Sequence, residues 1–362
     1  MIKPVEQSVP KGHRPPPPVT KPGEEPAVPG WSREEWHASK SYQSIQQNKK
    51  LKVIYPDQSD PAIAEHWASL GIKRELFDAS HDFDHRGNPK YAFSVLYPMN
   101  TAPDEKLPVL YYSHAGGANN YDAELAGFSA LICTERFIAV YPENGGFSNP
   151  DVLSEFPRIM NYLEERAYPI DWSRIYAAGF SAGSDATESL GTQYADALAA
   201  IAPCPGSNAM YNSLCRTGAD TYEKAAEYSL PLCFVGGTAD YGDVYPFPDS
   251  ECFENFNIWA QDICNIHNYT PTTIEEAKQR IAEATDPMIK NTGIVFHKTW
   301  KEKLEGRNWY FGELYNRQGH PWIRVVLAED VPHEVTNCHV RLVWEWLKHW
   351  RRNAVTKEVE YI

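Results

Sequence analysis

Short apolar runs alternate with amphipathic stretches along most of the chain. Six runs of seven to nine residues have the composition of buried strands, and they are residues 107–114, 137–143, 174–180, 197–204, 230–237 and 322–330. Two other sets of apolar residues recur at helical spacing: Phe156, Ile159, Met160 and Leu163, and then Val340, Val343, Trp344 and Leu347. Strands joined by helices through right-handed crossovers form a parallel sheet. The pattern therefore predicts an α/β fold, a doubly wound and mostly parallel sheet with helices on both faces.

A different pattern precedes these runs. Residues 72–98, "IKRELFDASHDFDHRGNPKYAFSVLYP", contain two strand-like runs joined by the turn signal "RGNP", which predicts an antiparallel hairpin. A polar cluster in it has the residue types of metal ligands: His81, Asp82, Asp84 and His85. Successive residues of a strand point to opposite faces, so a metal site is disfavoured here.

The segment "RIYAAGFSAG" ends a predicted strand with a G-x-S-x-G motif made of Gly179, Ser181 and Gly183. Placed between a strand and a helix, this motif forms a tight turn that exposes the serine hydroxyl, with no space for bulky side chains beside it. Ser181 is therefore the predicted nucleophile, and the amide of Ala182 a predicted oxyanion donor. The alternative interpretation is a serine that only caps its helix.

A serine nucleophile needs a histidine base and a carboxylate that orients the histidine. In this motif's fold the acid and then the histidine follow the serine, each after a later strand. Asp240 in "FVGGTADYGD" lies just past a strand and is the predicted acid. Asp243 is the near alternative, and Asp330 is disfavoured because it lies three residues before the predicted histidine.

His333 is the predicted base, because it follows the strand at 322–328 in a loop that Pro332 stiffens. His339 falls in the closing helix, His349 sits near its far end, and His320 precedes the strand. Those three are more simply explained as structural residues.

The second oxyanion donor is expected in the loop after the first buried strand, in "SHAGGANN" at residues 113–120. Small residues there allow backbone N–H groups to approach a substrate closely. Gly116 and Gly117 are the predicted donors, and Ala115 stays open as an alternative.

Composition and charge restrict the partners. With 42% hydrophobic residues, the chain can bury a sizeable core, and its formal net charge of -14 disfavours nucleic acid and anionic membranes. A neutral or cationic small molecule fits better, the predicted partner is a small-molecule ester substrate, and the predicted chemistry needs no metal or organic cofactor. No signal-peptide core and no run of about 18 apolar residues is found in the sequence, which predicts a cytoplasmic protein.

The first thirty residues contain nine prolines, which predict an extended arm that wraps the surface or pairs subunits of a homo-oligomer. The seven cysteines include no CxxC pair, so reduced thiols are expected. Cys252 and Cys264 are close enough in sequence to raise the question of a disulfide.

The chain resembles the α/β-hydrolase esterases that include polyhydroxybutyrate depolymerases, feruloyl esterases and acetyl xylan esterases. The resemblance covers roughly residues 90–240 and 320–352, through "LPVLYYSHAGG", "FIAVYPENGG", "DWSRIYAAGFSAGSDATESLGTQYADALAAIAP", "GGTAD" and "PHEVT". It implies an α/β-hydrolase fold and a Ser181–Asp240–His333 triad. Tannase-like relatives have cysteines beside the serine and the histidine, where this chain has Phe180 and Pro332, so the tannase-like branch is disfavoured.

The resulting domain prediction has three parts. Residues 1–70 form a proline-rich arm and extension, residues 71–243 and 320–362 form the hydrolase core, and residues 244–319 form a cap over the site. Aromatic residues of the insertion suit planar acyl groups or sugars. The predicted substrate-binding side chains are Tyr241, Trp309 and Tyr310, the last two in a hairpin that edges the cleft.

The predicted function is serine esterase activity on carboxylic esters, among them aryl, cinnamoyl or acetyl esters of carbohydrates and hydroxyalkanoate esters. Three alternatives remain at this point: a peptidase of the prolyl oligopeptidase type, a thioesterase or lactonase, and a non-catalytic module whose arm recruits a partner.

Overall fold

A ten-stranded sheet forms the centre of the computed structural model, which describes residues 1–3, 58–83, 89–143, 150–204, 222–240 and 253–362. Its strands are β1 (Ile72–Phe83), β2 (Pro89–Pro98), β3 (Leu107–Ser113), β4 (Ile138–Pro142), β5 (Ile170–Gly179), β6 (Ala200–Pro203), β7 (Leu232–Gly237), β8 (Lys298–Leu304), β9 (Arg307–Tyr315) and β10 (Pro321–Ala328). Their order across the sheet is β1-β2-β4-β3-β5-β6-β7-β10-β9-β8. A separate pair, β11 (Trp350–Arg352) and β12 (Val359–Tyr361), follows near the carboxyl end.

The middle of the sheet is parallel and its edges are antiparallel. Strands β4, β3, β5, β6, β7 and β10 pair in parallel, and each corresponds to a predicted apolar run. The predicted hairpin is also confirmed, because β1 pairs antiparallel with β2, which pairs antiparallel with β4. This order, with its antiparallel second strand, is that of the α/β-hydrolase fold.

The α-helices in the described ranges are α1 (Pro61–Ser69), α2 (Asn120–Glu124), α3 (Pro150–Glu165), α4 (Ala182–Gln193), α5 (Tyr222–Tyr228), α6 (Phe253–Ile258), α7 (Ile274–Glu283), α8 (Pro287–Thr292) and α9 (Asn337–Leu347). The two predicted apolar stripes lie on α3 and α9, where all their members are buried. Burying such a stripe against a sheet stabilises each helix far more than its intrinsic propensity does.

Side chains in neighbouring rows of residues paired across the strands point to opposite faces of the sheet, where they meet different helices. Tyr111 and Ile201 lie on one row of paired residues, where the Tyr111 ring packs on Phe156 of α3 and the Ile201 side chain lies against α4. Tyr176, on the next row, points the other way and packs edge-on against Trp344 of α9. Helices therefore cover both faces, as predicted.

Part of the predicted cap belongs to the central sheet. Strands β8 and β9 fall inside residues 244–319, yet β9 pairs antiparallel with β10, and β8 continues the sheet to its edge. The hairpin that contains Trp309 and Tyr310 is thus an extension of the sheet. The remaining domain boundaries stay a prediction.

Other expectations meet the structure only in part. The proline-rich arm lies outside the described residues, as does Cys252; Cys264 carries a buried free thiol, and burial raises its pKa. Within the ranges given above, the structure contains no helix with both the length and the apolarity to span a bilayer.

Candidate active site

Ser181 lies at the turn between β5 and α4, in a backbone conformation that side-chain-bearing residues rarely adopt. Its φ is 56° and its ψ is -122°, which costs about 1–3 kcal/mol and persists only where the surroundings impose it. The Ser181 side chain makes no capping hydrogen bond to α4, so the interpretation as a helix cap fails. The residue as a whole is partly exposed.

The two glycines of the motif sit where no side chain fits. A Cβ on Gly179 would lie 2.1 Å from the carbonyl oxygen of Gly183, and a Cβ on Gly183 would lie 2.1 Å from that of Ser113 at the end of β3. The first turn of α4 therefore packs directly on the end of β3, and the amide of Phe180 donates to the Ser113 carbonyl at 3.2 Å. This close approach holds the elbow against the strand that leads into the oxyanion loop.

Asp240 and His333 are hydrogen-bonded to each other. The His333 Nδ1 atom lies 3.0 Å from Oδ1 and 3.2 Å from Oδ2 of Asp240, whose side chain is fully buried. Of the alternative acids, Asp330 is exposed and Asp243 lies outside the described residues. His339 is inside α9, His349 follows that helix, and His320 precedes β10, as predicted.

The loops that carry this pair are bonded to one another. The amide of Thr238 donates to the Ala328 carbonyl at 2.9 Å, and the amide of Ala239 donates to the Val331 carbonyl at 3.1 Å. A Cβ on Gly237 would lie 1.9 Å from the same Val331 oxygen, so only glycine allows this approach. Two segments about ninety residues apart are thereby fixed against each other.

The imidazole lies beside the elbow. The ring of Phe180, the residue before Ser181, packs against the His333 ring with 4.9 Å between centroids and a 31° tilt. Ser181 and the Asp240–His333 pair are thus brought to the same edge of the sheet, at the carboxyl ends of β5, β7 and β10.

The loop after β3 contains the predicted oxyanion donors. Gly116 and Gly117 are exposed, and Gly117 has a φ of +73°, which favours glycine. Ala182, the other predicted donor, is the first residue of α4 and is buried. His114 carries no signal in the sequence beyond its place before the two glycines, yet both of its ring nitrogens lie within hydrogen-bonding distance of carbonyl oxygens.

Two of the predicted substrate-binding side chains have structural partners. Trp309 is buried, donates from its indole nitrogen to the Leu304 carbonyl at 3.3 Å and packs edge-on against His339. The Tyr310 hydroxyl donates to the Glu329 carboxylate. Substrate contact by these residues stays a prediction, and Tyr241 lies outside the described residues.

Among the described residues, no group of three or more histidine, cysteine, aspartate or glutamate side chains is arranged to hold a metal ion. The side chains of the sequence cluster His81, Asp82, Asp84 and His85 are outside the described set.

No protein-family model matches the chain. A bifunctional acetylxylan esterase/xylanase of Neocallimastix patriciarum is 31% identical over 166 residues, which are 44% of this chain and 22% of that protein. The chain thus matches less than a quarter of the length of this curated relative. Among solved structures, an acetyl xylan esterase from Aspergillus awamori is 13% identical, covering 71% of this chain and 93% of its own, with a TM-score of 0.46. A ferulic acid esterase from Anaeromyces mucronatus is 16% identical, covering 47% of this chain and 72% of its own, with a TM-score of 0.32. The sequence similarity confirms the predicted resemblance of this chain to esterases of this kind.

Proposed function

We propose that the chain is a carboxylic ester hydrolase that works through Ser181, His333 and Asp240. The observation that carries the proposal is the hydrogen bond between Asp240 and His333 beside a strained serine at the end of β5. A buried carboxylate bonded to Nδ1 selects the imidazole tautomer whose Nε2 can accept a proton. That arrangement is the one that serine acyl transfer requires.

In the proposed reaction, the Ser181 oxygen attacks the ester carbonyl carbon while its proton passes to Nε2 of His333. The carbonyl oxygen becomes negative and is stabilised by the amide of Ala182 together with the amide of Gly116 or Gly117. The imidazolium then protonates the leaving alcohol, which leaves an acyl-enzyme. Water, deprotonated by the same imidazole, releases the acid and restores the serine.

The substrate class that we propose is acetyl esters of carbohydrates. It is supported by the similarity to a protein described as an acetylxylan esterase/xylanase. Aryl and cinnamoyl esters, hydroxyalkanoate esters, thioesters, lactones and peptide amides are the competing substrates that an activity panel separates.

The test compares wild-type protein with Ser181→Ala on acetyl, butyryl, feruloyl and hydroxyalkanoate esters, a thioester, a lactone and a peptide amide. Removing a serine nucleophile costs about 10⁵-fold or more in kcat, and fluorophosphonate labelling should disappear with it. Ser173→Ala, at the amino end of the same strand, is the matched control and should keep both signals. Near-normal ester turnover by a folded Ser181→Ala protein refutes the proposal.

A further inference from the structure

His114 stands at the junction between β3 and the oxyanion loop. The side chain is buried, with 7% of the residue exposed, and it bridges two segments that follow neighbouring strands. Its Nδ1 lies 2.7 Å from the carbonyl oxygen of Ala115, within the loop. Its Nε2 lies 2.5 Å from the carbonyl oxygen of Glu143, just after β4.

These two contacts bear on the protonation state of the ring. A carbonyl oxygen only accepts hydrogen bonds, so each ring nitrogen must carry a proton to make its contact. A neutral imidazole carries one N–H and would leave one nitrogen lone pair facing a carbonyl oxygen, which is repulsive. Donation by both ring nitrogens at once corresponds to the imidazolium form.

We propose that His114 is a cationic positioning residue that holds the oxyanion loop in its working geometry. The inference rests on the proposed function, because the amides of Gly116 and Gly117 matter only if an oxyanion forms beside Ser181. By binding the Ala115 carbonyl, the ring fixes the peptide group that carries the Gly116 amide and directly precedes that of Gly117. By binding the Glu143 carbonyl, it ties the loop to the rigid centre of the sheet.

The other end of the loop is also anchored, which makes His114 one of two fixed points. Asn119 caps α2 through a reciprocal pair with Asp122, each bond being 3.0 Å. The amide of Asn120 donates to the Glu143 carboxylate at 3.3 Å, and the amide of Glu143 donates to the Ala92 carbonyl at 3.0 Å. Glu143 thus contacts both ends of the loop, the His114 ring through its carbonyl oxygen and the Asn120 amide through its carboxylate, and it is itself bonded to β2.

Carboxylates of the same region have hydrogen-bond partners. The Glu143 carboxylate accepts from the Asn120 amide, Asp122 is engaged in the α2 cap, and Glu124 is paired with Arg74 at 2.8 Å. A buried imidazolium close to the oxyanion also adds positive potential where negative charge develops.

The start of the loop also packs closely against the first turn of α4. A Cβ on Gly183 would lie 2.6 Å from the His114 carbonyl oxygen, so the elbow and the first loop residue are already in contact. Loss of the ring contacts allows the loop amides to move away from the serine while the nucleophile stays in place. The expected effect falls on the transition state and not on ground-state binding.

The kinetic experiment uses three variants of the full chain. His114→Ala should lose about 100-fold in kcat with little change in KM, because misplacing one oxyanion donor costs about that much. His114→Asn and His114→Gln each keep one amide donor, toward Ala115 or Glu143, and should lose about tenfold. His66→Ala, on the exposed surface of α1, is the control. A kcat within threefold of wild type in a folded His114→Ala protein overturns the positioning role.

The spectroscopic experiment is made on wild-type protein and does not depend on enzyme activity. Wild-type protein labelled with ¹⁵N in its histidines is measured at pH 8, with His114→Gln used to assign the signals. Both ring nitrogens of His114 should appear protonated, and one unprotonated nitrogen overturns the cationic assignment. If no ester is hydrolysed and Ser181→Ala equals wild type, the proposed function fails. The measured protonation of His114 still confirms or overturns the cationic assignment in that case.

Discussion

At the nucleophile elbow, backbone packs directly on backbone, whereas the acid and the histidine are joined by a hydrogen bond between side chains. Gly179 and Gly183 leave no space for a Cβ, and the strained Ser181 is held by that close packing. The Asp240–His333 contact depends on two loops that meet through a few amide–carbonyl bonds. The two halves of the site should therefore fail in different ways.

The difference teaches how each half is encoded. The elbow is specified by five consecutive residues, so a substitution there should disturb backbone positions and stability together. The acid–histidine half is specified by side-chain chemistry on a backbone that can tolerate the change. A substitution that preserves shape there should remove catalysis and leave the fold intact.

Asp240→Asn tests the side-chain half and should have the largest effect of the substitutions that separate the two halves. The amide can donate to Nδ1 and then favours the wrong imidazole tautomer, so we expect kcat to fall by about 10⁴-fold. The thermal midpoint should change little, because size and shape are kept. Steady-state kinetics and a thermal melt check both expectations.

The control for that variant is Asp330→Asn, which changes the exposed acid of the same region and should leave kcat unchanged. If Asp330→Asn lost activity and Asp240→Asn kept it, the hydrogen bond to His333 would not be the one that catalysis uses.

Gly183→Ala tests the backbone half. Its new Cβ would lie 2.1 Å from the Ser113 carbonyl oxygen, and because that neighbour is backbone, the end of β3 must shift. A shift of this kind should cost about 10²- to 10³-fold in kcat, together with a lower thermal midpoint. Alanine favours a helix over glycine by about 1 kcal/mol, so the clash has to exceed that gain.

The matched control is Gly306→Ala, where φ is +82° and a Cβ would meet nothing within 4 Å. It should lower stability by about 1 kcal/mol and leave kcat unchanged. Equal kinetics for Gly183→Ala and Gly306→Ala would contradict the account of a packed elbow.

The same contrast explains which parts could be predicted from the sequence. The parallel strands and the elbow were predictable because their signals are local: a buried run, then G-x-S-x-G, then a helix. The acid and the histidine could be ordered along the chain, but the packing of Gly237 on Val331 appears only when distant loops meet. His114 could not be recognised, because its meaning lies in two carbonyl groups whose positions depend on the whole sheet.

The edge of the sheet formed by β8 and β9 was still harder to predict from the sequence. Strand β8 is mostly exposed and rich in charged residues, and its Trp300 packs face to face on Phe311 of β9 at 4.7 Å between centroids. Aromatic residues in a long insertion suit a cap as well as a sheet edge. Only the pairing of β9 with β10 distinguishes the two, and that pairing leaves no periodicity of its own in the sequence.

The smallest predicted effect concerns His339, which lies behind the acid–histidine half. It is buried on α9, where Nδ1 accepts from the amide of Thr336 at 3.0 Å, and burial lowers its pKa to about 4. An ordinary histidine in the unfolded chain has a pKa of about 6.5. Below that pH, His339 binds a proton in the unfolded chain but stays neutral in the folded protein. The free energy of unfolding therefore falls as pH drops from about 6.5 to about 4.

His339→Gln should remove this loss and keep the helix cap, since a glutamine at that position can also accept from the Thr336 amide. We expect the difference in stability between pH 8 and pH 4 to shrink by at most about 3 kcal/mol, measured by urea unfolding at several pH values. Carboxylates that titrate in the same range are common to both proteins and cancel in the comparison. His66→Gln, on an exposed face of α1, should leave the pH profile as it is. Identical profiles for His339→Gln and wild type would mean that His339 takes up its proton in the folded protein as readily as in the unfolded chain, and the region behind Asp240 would then be less dry than its burial indicates.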